Sequence, residues 1–340
     1  MAKERRRTLQ WVSFAVAGLL CLSAAGFWGG YKWFQNQLDT PGPLIEEATL
    51  IIEAGSGVRT IAAQLADEGV IERPWLFALA TRYLDVQRAL QAGEYAFPAG
   101  TTLRQTVMRI AQGRTVIHGI TIPEGLTSKQ IVMLLRADTR LDGKITTIPA
   151  EGTLLPETYG FSRGDSREGI LARMREAMAE TLSTLWRQRA ADLPLDSKRE
   201  AVTLASIVEK ETGVADERAM VAGVFLNRLR RGMRLQADPT VVYALTGGAE
   251  TLDRPLLRKD WQTDSPYNTY RVDGLPPGPI ANPGRASLAA TLQPASHDYL
   301  YFVADGSGGH AFAKSLREHN RNVSKWRAVH RERQQSTASE

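Results

Sequence analysis

The longest uninterrupted apolar pattern comes first: from Thr8 to Tyr31 the chain runs 24 residues without a charge. At about 1.5 Å per helical residue, this segment is long enough to cross a hydrocarbon core of roughly 30 Å. Lys3, Arg5, Arg6 and Arg7 precede it, and Trp28, Tyr31, Lys32 and Trp33 stand at its far end. A basic flank on one side and an aromatic belt on the other predict a single span, with a cytoplasmic N-terminus and the rest of the chain outside. The competing readings are a signal peptide cleaved near Ser23-Ala24-Ala25 and a lipid anchor at Cys21. The apolar run outlasts a usual signal core and ends on aromatic anchors, and Leu20 occupies the place where a lipidation signal needs a small residue.

After the span, Asp39-Thr40-Pro41-Gly42-Pro43 reads as a turn-rich linker within residues 32–46. Leu50-Ile51-Ile52 predicts a short strand and Gly55-Ser56-Gly57 a turn. Val58, Ile61, Ala62 and Leu65 then recur at helical spacing up to Gly69. A second helix follows Pro74, which suits a first turn, and Gly93–Phe97 alternates like a strand. Strand, helix, helix, strand make a small α+β unit over 47–115. Further on, the pattern predicts helices over 102–113 and 126–135, a strand over 116–122, an irregular segment over 151–159, and a long helix over 166–191. Pro194 ends that helix, and Asp196 or Ser197 caps the next.

This next helix, over 198–212, carries the candidate chemistry. Ala201, Leu204, Ala205 and Val208 form one apolar stripe. At 100° per residue Glu211 falls between Leu204 and Ile207, and Glu209 between Val202 and Ala205. Both carboxylates therefore border an apolar surface, where lost hydration raises a pKa toward that of a general acid. The plainer reading is two ordinary glutamates paired with Lys210, Arg218 or Arg228. Thr212-Gly213 looks like a glycine helix stop, a place where clefts commonly open. Beyond a helix over 220–229, residues 232–240, 265–270 and 274–284 read as loops. They mix Asn227, Gln236, Asp238, Thr240, Tyr267, Asn268 and Tyr270 with rigid prolines, a composition suited to stacking on sugar faces and bonding amide and hydroxyl groups.

Composition narrows the function classes. The 340 residues are 43% hydrophobic and 23% charged, with a formal net charge of +5. Once residues 1–7 and Lys32 are set aside, about +1 remains, which removes the main argument for a nucleic-acid partner. Lys325, Arg327, Arg331 and Arg333 form a basic tail, read as a solvated helix face, with contact to acidic envelope polymers or lipid as the alternative. Cys21 is the only cysteine, and the five histidines are scattered without metal-ligand spacing, so neither thiol catalysis nor a metal or other cofactor is expected. Ser206 lacks the context of a serine nucleophile.

Six segments occur in order: Ala205–Thr212 (Ala-Ser-Ile-Val-Glu-Lys-Glu-Thr), Asn227-Arg228-Leu229, Met233–Thr240, Tyr267–Tyr270, Gly274–Ile280, and Tyr299–Ala304 with Gly308–Phe312. Together they closely resemble the YceG-like family, the MltG endolytic murein transglycosylases, over roughly 44–319. The resemblance implies a lyase acting on peptidoglycan strands, with synthases of the cell wall as candidate partners. It implies cleavage of the β-1,4 bond between N-acetylmuramic acid and N-acetylglucosamine, leaving 1,6-anhydro ends and limiting strand elongation. It also implies one catalytic carboxyl, with Ser or Thr directly after it, which selects Glu211 followed by Thr212. Glu209 is then left to support the site from behind. The small α+β unit, with Ala92-Gly93-Glu94-Tyr95 before its last strand, resembles a LysM-type glycan-binding module, and a scaffold role suits it equally. The expected organisation is a cytoplasmic tail (1–7), a span (8–31), a linker (32–46), a LysM-like module (47–115), a catalytic domain (116–330) and a polar tail (331–340). A non-catalytic wall-binding scaffold and a hydrolytic muramidase are the rival functions.

Overall fold

The computed structural model describes residues 2–249 and 252–337, with the backbone alone for 2–10, 12, 13 and 332–337. The basic flank Lys3, Arg5, Arg6 and Arg7, and Arg333 in the tail, thus have side chains outside the described residues. The chain divides into two compact units, residues 1–118 and 119–340.

The first unit begins with helix α1 (Ala2–Asp39). Phe14–Asp39 is long and apolar enough to cross a membrane, and its apolar side chains are uncovered by protein: Phe14, Leu20 and Phe27 are 74%, 64% and 80% exposed. The helix does not end with the span. It continues to Asp39, and Phe34 and Leu38 are buried in the core of the unit, so much of the expected linker is helix packed into the domain. An apolar residue at every fourth position past the aromatic belt gives this last stretch its buried stripe.

Strand β1 (Ala48–Ile52), helices α2 (Val58–Asp67) and α3 (Pro74–Tyr83), and strand β2 (Gly93–Phe97) follow in the predicted order. The two strands pair antiparallel, Leu50 opposite Tyr95 and Ile52 opposite Gly93. Helix α4 (Leu103–Ala111) starts at a capping box in which Thr102 and Gln105 each satisfy the other's backbone N–H. Tyr95 and Phe97 from β2 and Val107 and Ile110 from α4 meet α2 and α3 in one core.

The second unit opens with a two-stranded sheet of β3 (His118–Thr121) and β4 (Thr158–Phe161), packed with α5 (Ser128–Ala137) and α6 (Arg167–Arg187). Thr127 and Gln130 repeat the capping box at α5. The irregular segment over 151–159 runs into β4 at its end, and α6 stops at Arg187, short of Ala191. Helix α7 (Lys198–Glu211) is central, covered by α8 (Arg218–Arg230) and, after α9 (Asp238–Thr246), by α10 (Arg285–Leu292). Antiparallel strands β5 (Tyr301–Ala304) and β6 (His310–Ala313) and the long helix α11 (Leu316–Thr337) complete the unit.

Two differences from the sequence pattern matter for the site. Helix α7 has no polar face from Ala201 to Val208, because all eight residues are buried. Thr203 donates its hydroxyl to the Arg199 carbonyl (2.9 Å) and Ser206 donates to the Thr203 carbonyl (2.7 Å), so both polar side chains are satisfied inside the core. Asp238, Pro239 and Thr240, expected in a loop, instead form the first turn of α9, where proline's missing N–H costs nothing.

Candidate active site

Ser197 caps the start of α7 by accepting the Glu200 N–H (3.2 Å). The helix stops at Glu211 because Thr212 turns extended (φ −139°, ψ 129°), and its hydroxyl accepts the Val214 N–H (3.0 Å). Gly213 is not in the left-handed region, so the stop belongs to Thr212 rather than to the glycine expected from sequence. Two residues apart on a 100° helix, Glu209 and Glu211 leave the axis on nearly opposite sides.

Glu209 turns inward. Its side chain is 5% exposed, Oε2 accepts the Gly284 N–H (2.8 Å), and Oε1 lies 3.8 Å from Arg218, which also reaches Glu124 (3.5 Å). A Cβ at Gly284 would meet the end of the Glu124 side chain, which would have to swing away to make room. Burial raises the Glu124 pKa, the Glu209 charge adds to the rise, and Arg218 opposes it.

Glu211 turns into a separate cavity of 370 Å³ whose wall includes Phe225, Arg228, Gln236, Asp238, Tyr270, Tyr301, Phe302 and His319. No described residue ion-pairs with it or donates a hydrogen bond to its carboxyl. Burial pushes its pKa up to about 8, the Asp238 charge adds to the rise, and Arg228 partly opposes it. The group therefore carries a proton near neutral pH. Arg228 is 8% exposed and is held by the carbonyls of Leu300 (2.6 Å) and Leu235 (2.7 Å), with its guanidinium over the Tyr301 ring (5.1 Å). Asp238 Oδ1 accepts from Tyr270 OH (2.7 Å) and from Trp261 Nε1 (2.9 Å). Burial, reinforced by Asp238, raises the Tyr270 pKa and keeps its phenol protonated as the donor. Gln236 holds a left-handed φ of +51°, strained for a residue with a Cβ, and sits at the cavity wall. A second cavity, of 230 Å³, contains Lys210 and Tyr243 and shares Asp238 with the first.

Of the residues singled out from sequence, Glu211, Gln236, Asp238 and Tyr270 come together in this cavity. The others are placed elsewhere. Asn227 donates to the carbonyls of His297 (2.7 Å) and Tyr299 (3.1 Å). Asn268 donates to those of Trp261 (3.0 Å) and Thr263 (2.8 Å), and its own oxygen accepts the Tyr270 N–H (3.1 Å). Thr240 is buried against Thr269 (2.8 Å). Tyr267 packs on Tyr243 (4.9 Å between ring centres) and faces another cavity beside Arg199. Arg228, Tyr301, Phe302 and His319 line the Glu211 cavity without having been singled out as site residues. The available signal was weak: Arg228 sits inside the Asn-Arg-Leu segment, and Tyr301 and Phe302 inside the Tyr-Leu-Tyr-Phe run.

Residues 50–325 match the YceG-like family. The chain is 33% identical over 310 residues to a protein of Bacillus subtilis (strain 168) named endolytic murein transglycosylase, covering 81% of this chain and 83% of that protein. It is 28% identical to a protein of the same name from Streptococcus pneumoniae serotype 2, over 92% of this chain and 64% of that longer protein. A crystal structure of a YceG-like protein from Listeria monocytogenes covers 82% of this chain and 99% of its own, at 34% identity and a TM-score of 0.48. With a family match across most of its length and a curated relative at this identity, the chain belongs to the YceG-like family.

Proposed function

We propose that this chain is an endolytic murein transglycosylase: a lytic enzyme that cleaves peptidoglycan strands, with Glu211 as its catalytic acid and base. The observation that carries the assignment is a carboxyl at the end of α7, turned into a cavity, free of ion pairs and with a pKa of about 8. Protonated Glu211 gives its proton to the oxygen linking N-acetylmuramic acid to N-acetylglucosamine as that bond breaks. The resulting carboxylate takes the proton from the muramoyl C6 hydroxyl as its oxygen closes on C1, so the enzyme ends protonated as it began. The product end is a 1,6-anhydro ring, and no water is consumed. The Glu211 cavity and the neighbouring one that shares Asp238 with it offer room for sugars.

Gln236, Asp238 and Tyr270 contact substrate in this reading, with Asp238 also holding the Glu211 pKa high. Glu209, Thr212, Asn227, Thr240 and Asn268 hold the frame through bonds to backbone and neighbours, and Tyr267 serves the adjacent cavity. The uncovered apolar length of α1 supports a single-pass anchor in the bacterial inner membrane, with a cytoplasmic N-terminus and the catalytic unit in the periplasmic space. The strand-helix-helix-strand order over 47–115 supports a LysM-like module that binds glycan, and 116–330 is then the catalytic domain.

Asp238 also favours a second reading. A second carboxylate in the cavity suits a hydrolytic muramidase, in which it would activate water or attack the sugar. Mass spectrometry of digested peptidoglycan distinguishes the two: anhydro ends for the lyase, reducing ends for the hydrolase. Glu211→Gln is expected to lower product formation by about a hundredfold or more, whereas Glu209→Gln retains measurable activity. Unchanged anhydro-muropeptide release by Glu211→Gln overturns the assignment.

A further inference from the structure

The first unit exposes aromatic and aliphatic side chains that its core does not use. On α3, Leu76, Phe77 and Ala80 face inward, while Trp75 (54%), Leu79 (41%) and Tyr83 (46%) stay exposed. These three follow at i, i+4 and i+8, a single stripe along a helix. The stripe is tied to α1 at both ends. Trp75 stacks on Trp33 (6.1 Å, 14° between planes), and Tyr83 packs edge-on against Phe34 (5.4 Å). The Tyr83 hydroxyl also accepts from Gln35 (2.7 Å) and lies 3.4 Å from that of Tyr31.

These contacts fix the course of α3 relative to α1. Trp75 and Tyr83 are about 12 Å apart along α3, yet the rings they pack against, Trp33 and Phe34, are neighbours on α1. Helix α3 therefore crosses α1 rather than running beside it. The crossing lies where the uncovered apolar stretch ends and Phe34 and Leu38 enter the core. If α1 spans a bilayer, this crossing puts α3 at the level where the membrane surface begins. Lys32, Arg73 and Arg82 are exposed basic residues flanking the stripe along the chain, with Glu72 and Asp85 as exposed acidic neighbours.

We propose that α3 is an interfacial helix, and that Trp75, Leu79 and Tyr83 dock the first unit onto the phospholipid bilayer that α1 crosses. Rings with an apolar body and a polar edge belong at that depth. The unit then sits on the membrane by two attachments, the span and α3. This rests on α1 being a membrane span, and the test separates the two claims.

The full chain is reconstituted in vesicles of phosphatidylethanolamine and phosphatidylglycerol, and a nitroxide label reports its depth through collisions with oxygen and with a water-soluble nickel complex. The native Cys21 carries the label in one sample. Leu79→Cys and the exposed control Met133→Cys carry it in a Cys21→Ser background. The expected result is a deep label at 21 and an oxygen-to-nickel ratio at 79 several-fold above that at 133. A deep label at 21 with equal ratios at 79 and 133 overturns the docking and leaves the span intact. A label at 79 shielded from both reagents means that protein covers the stripe, which also overturns it. A water-exposed label at 21 removes the span itself.

Discussion

Glu209 and Glu211 are the same residue type, two positions apart on one helix, and sequence-based azimuths put both beside apolar surface. What separates them is what each carboxyl meets. Glu209 spends its charge on Arg218 and the Gly284 N–H. Glu211 faces Asp238 across a cavity, with Arg228 as the opposing charge. Its proton binds more tightly in the folded chain than in the unfolded one, so its contribution to stability is complete below the ordinary glutamate pKa of 4.5 and is lost as pH rises toward about 8. Glu211→Gln removes that loss, and thermal melts are expected to show a larger gain in Tm at pH 8 than at pH 5, together with lost activity. Asp238→Asn takes away a charge that favours the protonated acid. The alkaline limb of the pH–rate profile should move to lower pH, while the variant amide oxygen still accepts from Tyr270.

At the scale of elements, α7 shows why a polar residue in a helix need not mark a solvent face. Ser206 sits inside the core, yet its hydroxyl donates to the helix and also accepts the Ile280 N–H (3.0 Å). It thereby joins α7 to the Gly-Leu-Pro-Pro-Gly-Pro-Ile segment, whose last residue is buried beside it. Ser206→Ala leaves a buried N–H without an acceptor and is expected to cost about 1–3 kcal/mol in denaturant unfolding. Pro74 at a first turn, a cap at Ser197 and the alternation of Gly93–Phe97 were legible from sequence, because each depends on residues within a few positions. The first turn of α9, the whole of α10 and the inward side of Ser206 were not, because partners far along the chain decide them.

For the whole molecule, the end of α1 has two roles that periodicity alone does not separate. Residues 14–30 present apolar side chains with no protein around them, and eight residues later Leu38 is wholly buried in the first unit. A chain shortened to begin at residue 40 loses Phe34 and Leu38 from that core, as well as the Arg104–Asp39 ion pair (2.7 Å). Hydrogen exchange in α4 should then be faster than in a chain beginning at residue 31, with α7 in the second unit unchanged. Equal protection of α4 in both would mean that the core of the unit closes without α1.

The sequence by itself determined what local chemistry can encode: a stretch apolar enough for a bilayer, the order of most helices and strands, two carboxylates on one helix, and the motifs that mark the family. Tertiary structure alone decided which carboxylate faces a cavity, and that Arg228, Tyr301, Phe302 and His319 share it. The reason is physical. A helix specifies the angle at which a side chain leaves it, but hydration, neighbouring charge and free volume at that angle come from segments as much as a hundred residues away.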